Sequence, residues 1–455
     1  MSSEWGNWRR WNNLTGWVLF AFSSTVYLLT REPTVSFWDC GEFILAAFKL
    51  QVGHPPGAPL FLMMGRIATL FAGNDTSRVA LMVNSLSALC SGFAIMFLYW
   101  TITRLVRKVF ANGNDPESNH TTAIIGSGIL GALTFTFSDT FWFSAVEGEV
   151  YALSSLVIAL VFWAMLKWEE EADKQYSGRW IVLTAYIMGL GLGIHRLNLL
   201  IIPVLVFVYY FRKYKTTTKG VIKTLFLAIL LLWLMVFIIM PGVPEVAGWF
   251  ELLFVNVLGL SYNSGVLFYM VALFGGLAIG IEYSLRKKKI VLNWLLTSLM
   301  VIIIGYSSYA MIMIRSSARP PMNQNDPSDI FSLSDYINMK QYGSSPKLFF
   351  GKYYSAPRID EKKIIGGYNK SDGKYKSYFT FEYKYDSNFE TIFPRMHSED
   401  PDHENSYKFW GKVVGRKYTI GSDSDKKIII CPTFGENLRY FFRYQVGFMY
   451  MRYFM

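Results

Sequence analysis

The sequence predicts an all-α polytopic membrane bundle followed by a small external α+β domain. Three observations carry this. The 455 residues are 52% hydrophobic and only 17% charged, whereas a soluble domain carries about a quarter charged residues. Apolar runs approaching the roughly 20 residues needed to cross a bilayer recur as far as residue 314. From Asp329 onward Tyr, Lys, Ser, Asp and Gly dominate, and the alternation Tyr378-Phe-Thr-Phe-Glu-Tyr-Lys-Tyr385 reads as a strand. Residues 1–328 are therefore expected to form the membrane domain and 329–455 the external one.

The first span is 14–29, behind Arg9 and Arg10, with no small-residue cleavage site after it. It reads as an uncleaved membrane segment rather than a removed signal peptide. Eight further runs follow, at 79–102, 122–137, 151–168, 181–194, 197–211, 221–240, 266–283 and 290–314, for about nine spans. The segment 58–71 is apolar but short and contains Arg66. Cytoplasmic loops concentrate Lys and Arg. With Arg9 and Arg10 inside and 58–71 lying in the outer interface, the clusters Arg104/Arg107/Lys108, Arg212/Lys213/Lys215 and Arg286–Lys289 all fall on the cytoplasmic side. Counting 58–71 as a span would put all three outside, so the first external loop is predicted to hold interfacial helices. Gly366-Gly367, Asn369–Gly373 and Gly421–Asp425 read as turns of the external domain. The aromatic stretch 440–455 suggests that the chain continues or that this segment lies on the membrane.

That topology gathers the chemistry-bearing residues on one face. The first loop supplies Asp39, Glu42 and His54, the last within Gly53-His-Pro-Pro-Gly57. Glu147, Glu149 and Tyr151 open one span, and His195, Arg196 and Asn198 sit in the turn between two others. Arg315 and Arg319 flank the last exit, against the positive-inside pattern, and suggest an external anionic ligand. Each feature has a plainer reading. Asp39 and Glu42 suit a helix N-terminal capping arrangement ahead of 41–50, and Glu147 and Glu149 suit a helix N-terminal dipole. A double proline fixes a chain entry angle, and Arg196 could snorkel to the interface. The functional reading makes Asp39 a general base with Glu42 beside it, and assigns the arginines to a phosphate.

Other classes are disfavoured. The net charge of +11 is spread in short clusters between apolar runs, which sets orientation and does not build a nucleic-acid groove. Cys40, Cys90 and Cys431 lie far apart, without metal or disulfide spacing. No phosphate loop appears, and Gly189-Leu-Gly-Leu-Gly193 lies within an apolar run with no strand before it.

The phrases FWDCGEF (37–43), KLQVGHPPGAPLF (49–61), AVEGEVYALSS (145–155) and GIHRLNLL (193–200), with the loop layout, resemble the GT-C superfamily of membrane glycosyltransferases. More closely, they resemble a bacterial family common in Bacteroidota whose animal relative is a transmembrane protein O-mannosyltransferase. The resemblance covers most of residues 10–345. It implies an inverting transfer of a sugar, expected to be mannose, from a polyprenyl-phosphate carrier to Ser or Thr hydroxyls of exported proteins. It also implies a multi-pass protein of the bacterial inner membrane, with a cytoplasmic N-terminus and a periplasmic active site and C-terminal domain. On this resemblance Asp39 and Glu42 are the catalytic carboxylates, and His195 and Arg196 are candidates for the carrier phosphate. Arg315 and Arg319 join them on charge grounds. His54, Glu147, Glu149, Tyr151 and Asn198 are expected to bind substrate. The lipid-linked sugar is a co-substrate; no cofactor is expected, and a monophosphate leaving group requires no metal. The O-mannosyltransferases carry adjacent Asp-Glu, whereas Cys40 and Gly41 intervene here, which weakens Glu42 more than Asp39. Alternatives are a transferase acting on a glycan or lipid, a lipid-carrier flippase, and a non-catalytic scaffold.

Overall fold

In the computed structural model of the chain, residues 2–111, 118–343, 347–420 and 426–453 are described, as two compact units, Met1–Met339 and Lys340–Met455. The division falls at Met339, later than the expected boundary at 329. The cause is α15 (Ile330–Ile337). Asp329 accepts hydrogen bonds from the Phe331 and Ser332 amides in a capping box, and Ile330, Leu333, Tyr336 and Ile337 join the core of the first unit.

The first unit is helical throughout: α1 (Ser2–Thr30), α2 (Cys40–Lys49), α3 (Pro59–Leu70), α4 (Val79–Ala111), α5 (Ser118–Thr136), α6 (Asp139–Val146), α7 (Val150–Glu171), α8 (Gly178–Leu192), α9 (Ile202–Lys213), α10 (Thr218–Leu234), α11 (Met240–Leu252), α12 (Ser264–Arg286), α13 (Ile290–Tyr306) and α14 (Ala310–Ser317) precede α15. Among the described residues five helical runs are long and apolar enough to cross a membrane: Thr76–Phe110, Val150–Glu171, Thr218–Val257, Ser264–Arg286 and Ile290–Ser317. A sixth is added if α5 and α6, bent by 66° at their junction, count as one broken span. This is the make-up of a multi-pass membrane protein. Nine helices do occupy the nine predicted apolar runs, but nine spans are not met by length and composition. At ~1.5 Å per residue, the 15 residues of α8 and the 12 of α9 fall short of a ~30 Å hydrocarbon core. The apolar run of α1 is diluted by Thr15, Ser23, Ser24 and Thr25.

The two ends of this bundle differ. At one end the Glu32 amide donates to Val146 O (3.0 Å), the Asn84 amide donates to Glu32 O and Thr34 O (2.7 and 2.9 Å), and the Leu60 amide donates to Gly193 O (2.8 Å). The α2/α3 pair packs here. With 10 and 12 residues, neither helix is long enough to span. The expected non-spanning pair in the first loop is thus present. At the other end Arg107 reaches Glu170 (2.7 Å), and Arg212 Nε donates to Glu169 O (2.9 Å), joining the C-terminal ends of α4, α7 and α9. Trp294 of α13 lies against Gly178 at the start of α8, so the basic turn before α13 belongs to this end as well. All three basic clusters share one end. Where α8 crosses α13 the backbones nearly touch. A Cβ on Gly189 would lie 2.5 Å from Ile302 O, and one on Gly305 would lie 2.5 Å from the Gly189 carbonyl carbon. The glycine run is a close-packing device.

Among the described residues the second unit holds three two-stranded antiparallel sheets, two α-helices and a π-helical stretch at Phe441–Tyr450. The strands are β1 (Gly351–Lys352), β2 (Arg358–Ser371), β3 (Lys374–Tyr385), β4 (Glu390–Thr391), β5 (Arg416–Ile420) and β6 (Lys427–Cys431), with pairs β1–β4, β2–β3 and β5–β6. The helices are α16 (Pro401–Gly411) and α17 (Phe434–Tyr440). Asp372 and Gly373, both with positive φ (51° and 77°), make the β2–β3 turn expected there. Gly366-Gly367 is not a turn. It lies within β2 at a register shift, where a Cβ on either glycine would meet the Tyr378 ring. The turn predicted at 421–425 lies outside the described residues.

Candidate active site

The loop 31–39 approaches α2 through Trp38, which stands in the left-handed region (φ 59°). Asp39 then occupies the N-cap position of α2. Its backbone is helical there (φ −85°, ψ 0°), and its carboxylate makes no capping hydrogen bond. The plainer reading of Asp39 therefore fails. The side chain is 59% exposed, and its nearest charged neighbour is His54 Nε2 at 4.0 Å, too far for a hydrogen bond. It is a carboxylate held in place by backbone and left chemically free.

Glu42 has another task. Its Oε1 accepts from the His54 backbone amide (2.5 Å) and contacts His54 Nδ1 (2.9 Å). Burial raises the Glu42 carboxyl, but the His54 side-chain and amide hydrogen bonds, with the imidazole charge and a hydrogen bond with Gln324, hold it below its ordinary value. In return the Glu42 hydrogen bond holds the His54 imidazole above its ordinary range, against partial burial, with help from the Glu42 and Asp39 charges. Glu42 and His54 are one unit that presents Nε2 toward Asp39. Glu42, read from the sequence as the second catalytic carboxylate, is engaged with His54 here.

The surrounding backbone is shaped for that contact. A Cβ on Gly53 would lie 2.4 Å from Glu42 Oε1, so only glycine lets the carboxylate reach the next amide. Gly57 has φ +70°, and a Cβ on it would lie 2.6 Å from the Tyr336 hydroxyl. Tyr336 donates to Gly53 O (2.8 Å) and clasps the loop from α15. The Pro55-Pro56 peptide is cis.

From the other side come the segments before α7 and after α8. Glu149 caps α7, accepting from the Val150 amide (3.1 Å). Burial, followed by the charges of Asp39 and Glu147, outweighs that bond and the attraction of His54, so the carboxyl is pushed up to about 7. Glu147 is buried, accepts from Ser36 Oγ (2.8 Å) and is raised mainly by burial. It fixes the strap leading to Asp39. Cys40 beside it is fully buried, and its thiol is pushed far up by burial and by Glu147. His195 Nδ1 accepts from the Leu197 amide (3.2 Å), which fixes Nε2–H as the neutral tautomer. Burial and the adjacent Arg196 charge hold its pKa down. The Tyr151 and His195 rings stand 5.5 Å apart. The Arg196 Nε is buried with no hydrogen-bond partner among the described residues.

These stretches enclose a cavity of about 270 Å3 whose lining includes Asp39, His54, Glu149, Tyr151, His195 and Arg196. It is at the small edge of the ~300–1,000 Å3 typical of ligand pockets. An uncommitted carboxylate, a carboxyl titrating near neutrality, two imidazoles of opposite tendency and an unpartnered guanidinium share one space. Such a set can accept a proton and balance an anion. Among the described residues no group of three His, Cys, Asp or Glu side chains is arranged to hold a metal ion.

Five residues expected in the site do not line it, Glu42 among them. Arg315 spends its guanidinium on Leu50 O (2.7 Å) and Lys49 O (3.1 Å), closing the C-terminus of α2. Arg319 follows α14 in the left-handed region (φ 51°) and is not part of the cavity wall. Asn198 is buried and fully engaged, accepting from Ser154 Oγ (2.6 Å) and donating to Gly191 O (2.9 Å). Glu147 lies behind the wall. Tyr309 and Met339, by contrast, line the cavity without having been marked by sequence reasoning, since apolar helices and short linkers advertise nothing about their partners.

Residues 39–218 match the family model described as the N-terminal domain of the protein O-mannosyl-transferase TMEM260, beginning at Asp39 itself. Residues 343–442 match a family of unknown function. The protein O-mannosyl-transferase tmem260 of Dictyostelium discoideum is 29% identical over 196 residues, covering 41% of this chain and 22% of that protein. The mouse protein O-mannosyl-transferase TMEM260 is 30% identical over 188 residues, covering 41% of this chain and 24% of its own length. The chain thus spans about a quarter of the curated relatives it matches, and the family-model match is shorter than the expected 10–345. No solved structure is significantly similar. Over the matched segment the chain is related to the TMEM260 proteins, and that segment contains every charged side chain that lines the cavity.

Proposed function

We propose that the chain is a membrane glycosyltransferase that moves a sugar, mannose, from a polyprenyl-phosphate carrier to Ser or Thr hydroxyls of an exported protein, with inversion. The observation that carries this is the placement of free Asp39 and unpartnered Arg196 in one cavity, within a segment related to protein O-mannosyl-transferases. Asp39 accepts the acceptor hydroxyl's proton as that oxygen attacks the anomeric carbon. The bond from that carbon to the phosphate oxygen breaks, and Arg196 with the His195 Nε2–H balances the charge on the departing phosphate. Every atom is then accounted for by the donor, the acceptor and this chain, with no cofactor and no metal. His54, fixed by Glu42, sits next to the base. Glu149 and Tyr151 face the sugar.

The proposed setting is a bacterial inner membrane, with the N-terminus cytoplasmic and the site and C-terminal unit periplasmic; the gathering of the basic clusters at one end of the bundle supports that orientation through the positive-inside rule. The test is transfer by the purified full chain in nanodiscs. Polyprenyl-phosphate [14C]mannose would be incubated with an exported protein rich in Ser and Thr, or with a periplasmic glycan extract. Label on protein that β-elimination releases supports the proposal; label only on glycan or lipid overturns the protein acceptor.

A further inference from the structure

The loop that carries Asp39 into the site ties its polar groups to the protein and leaves aromatic side chains outside. The Glu32 amide donates to Val146 O (3.0 Å), and the Asn84 amide donates to Glu32 O and Thr34 O (2.7 and 2.9 Å). Ser36 Oγ donates to the buried Glu147 (2.8 Å). Val35 rests over Gly41 of α2, where an added Cβ would lie 3.3 Å from its Cγ1. Between Ser36 and Asp39 stand Phe37 and Trp38, which are 75% and 89% exposed. A single exposed apolar residue needs no explanation. Two adjacent aromatics leading directly into the proposed base do.

Trp38 is also strained. It stands at φ 59°, a region that crowds Cβ against the carbonyl oxygen and in which a bulky residue is an outlier. Such a conformation persists only where its surroundings fix it. Here the bonds at residues 32–36 hold the chain before it, and α2 holds the chain after it. The fold therefore keeps an indole in solvent one residue from Asp39, about 3.8 Å between Cα atoms.

Two observations select what lies against it. Asp39 lines the cavity, whereas Phe37 and Trp38 do not, so the two aromatics stand at its rim. A polypeptide acceptor reaches Asp39 with one hydroxyl side chain, and the residues flanking that side chain come to lie on the rim. The charges on the loop are the second observation. Glu32 and Asp39, at either end of the apolar stretch, are exposed carboxylates, while Arg31 is half-buried and donates to Leu28 O (3.0 Å). An anionic leaflet is repelled by those carboxylates; a neutral or basic peptide is not.

We propose that Phe37 and Trp38 form the surface on which the acceptor polypeptide is held, the indole packing on an apolar side chain that flanks the reacting Ser or Thr, with acidic flanks disfavoured. This rests on the reaction proposed above and adds its acceptor specificity. Trp38 is a positioning residue and takes no part in the proton transfer.

The experiment is steady-state transfer by the full chain in nanodiscs, from polyprenyl-phosphate [14C]mannose to synthetic peptides with one Thr flanked by Phe, Ala or Asp. For the wild type the Michaelis constant should be about tenfold lower with Phe than with Ala, the order expected for burying one apolar side chain, and highest with Asp. Trp38→Ala keeps the Cβ and removes only exposed atoms, so the loop persists. It should raise the constant of the Phe-flanked peptide to that of the Ala-flanked one, with kcat and the donor's constant within about twofold of wild type. Trp38→Phe should retain most of the preference. An unmoved peptide constant in Trp38→Ala, a fall in kcat alone, or an Asp-flanked peptide as good as the Phe-flanked one would overturn the inference. A rise in the donor's constant alone would assign the indole to lipid instead. Label on an exported protein but on none of the peptides overturns recognition of the flank and leaves the reaction standing; label on neither overturns the reaction itself.

Discussion

Replacing Glu149 by Gln should stabilise the protein above neutral pH and leave it unchanged in acid. In the folded chain the carboxyl keeps its proton up to about 7, chiefly because it is buried, whereas in the unfolded chain it releases it near the ordinary 4.5. Between those values the folded state binds more protons, so the stability of the wild type falls as pH rises through that window and the penalty is complete above about pH 7. At ~1.36 kcal/mol per pH unit, a rise from 4.5 to about 7 corresponds to at most about 3 kcal/mol. Glutamine is neutral at every pH and retains an oxygen for the Val150 amide, which Glu149 Oε2 holds at 3.1 Å. The assay is thermal unfolding of the full chain in neutral detergent, followed by tryptophan fluorescence from pH 4.5 to 8.5. The two proteins should melt together at the acid end and separate by a few degrees at pH 8, with the variant higher. A difference independent of pH, or a less stable variant at pH 8, would refute the reasoning that burial dominates at this position.

Three other outcomes follow from the same geometry. Glu42→Gln should cost about 1–2 kcal/mol by removing a charge-assisted pair. The pair's contribution is present above the ordinary carboxylate value and lost as pH falls through Glu42's lowered one. It is also present below the ordinary histidine value and lost as pH rises through His54's raised one. The melting difference between the two proteins should therefore be largest from about pH 5 to 6.5, and a difference that grows toward pH 9 would contradict it. Gly57→Ala should destabilise by about 1–3 kcal/mol, since it forces a side chain into φ +70° against the Tyr336 hydroxyl; an unchanged melting temperature would show that the loop is not clasped. Asn198→Ala should lose about 1–3 kcal/mol of stability by leaving the buried Ser154 hydroxyl without its acceptor and removing the hydrogen bond to Gly191 O, which keeps its bonds from the Ile194 and His195 amides. Its Michaelis constant for donor should stay within about twofold, and a tenfold rise would restore Asn198 to the substrate.

The residues legible in the sequence were those whose chemistry is carried by local pattern. Asp39, His54, His195 and Arg196 stand out as polar residues bounding apolar runs, and the basic clusters sort to one end because charge is read without knowing packing. What local pattern cannot express is which partner a side chain finds. Arg315 looked free, but the carbonyls that occupy it lie 265 residues earlier. Glu42 looked like a second base because of its spacing from Asp39, whereas its contact is with the loop twelve residues on. Gly53 and Gly57 read as turn formers, and their need for space appears only when Glu42 and Tyr336 are seen against them. The external domain was expected to begin at 329, where composition changes, but α15 buries its apolar face in the first unit. The count of nine spans is not met for a related reason: α8 is apolar and largely buried, and apolarity alone does not distinguish a packed helix from one facing lipid.

The central claim is that Asp39 accepts the proton while Arg196 holds the donor's phosphate. The direct measurement is the separation of turnover from donor affinity in two variants assayed with polyprenyl-phosphate mannose. Asp39→Asn should lose on the order of 10²–10⁴ in turnover with donor affinity unchanged. Arg196→Gln should weaken donor binding by about 10- to 150-fold, the worth of a charge-assisted hydrogen bond. Near-wild-type turnover by Asp39→Asn, or loss of donor affinity in that variant with Arg196→Gln unaffected, would contradict the account.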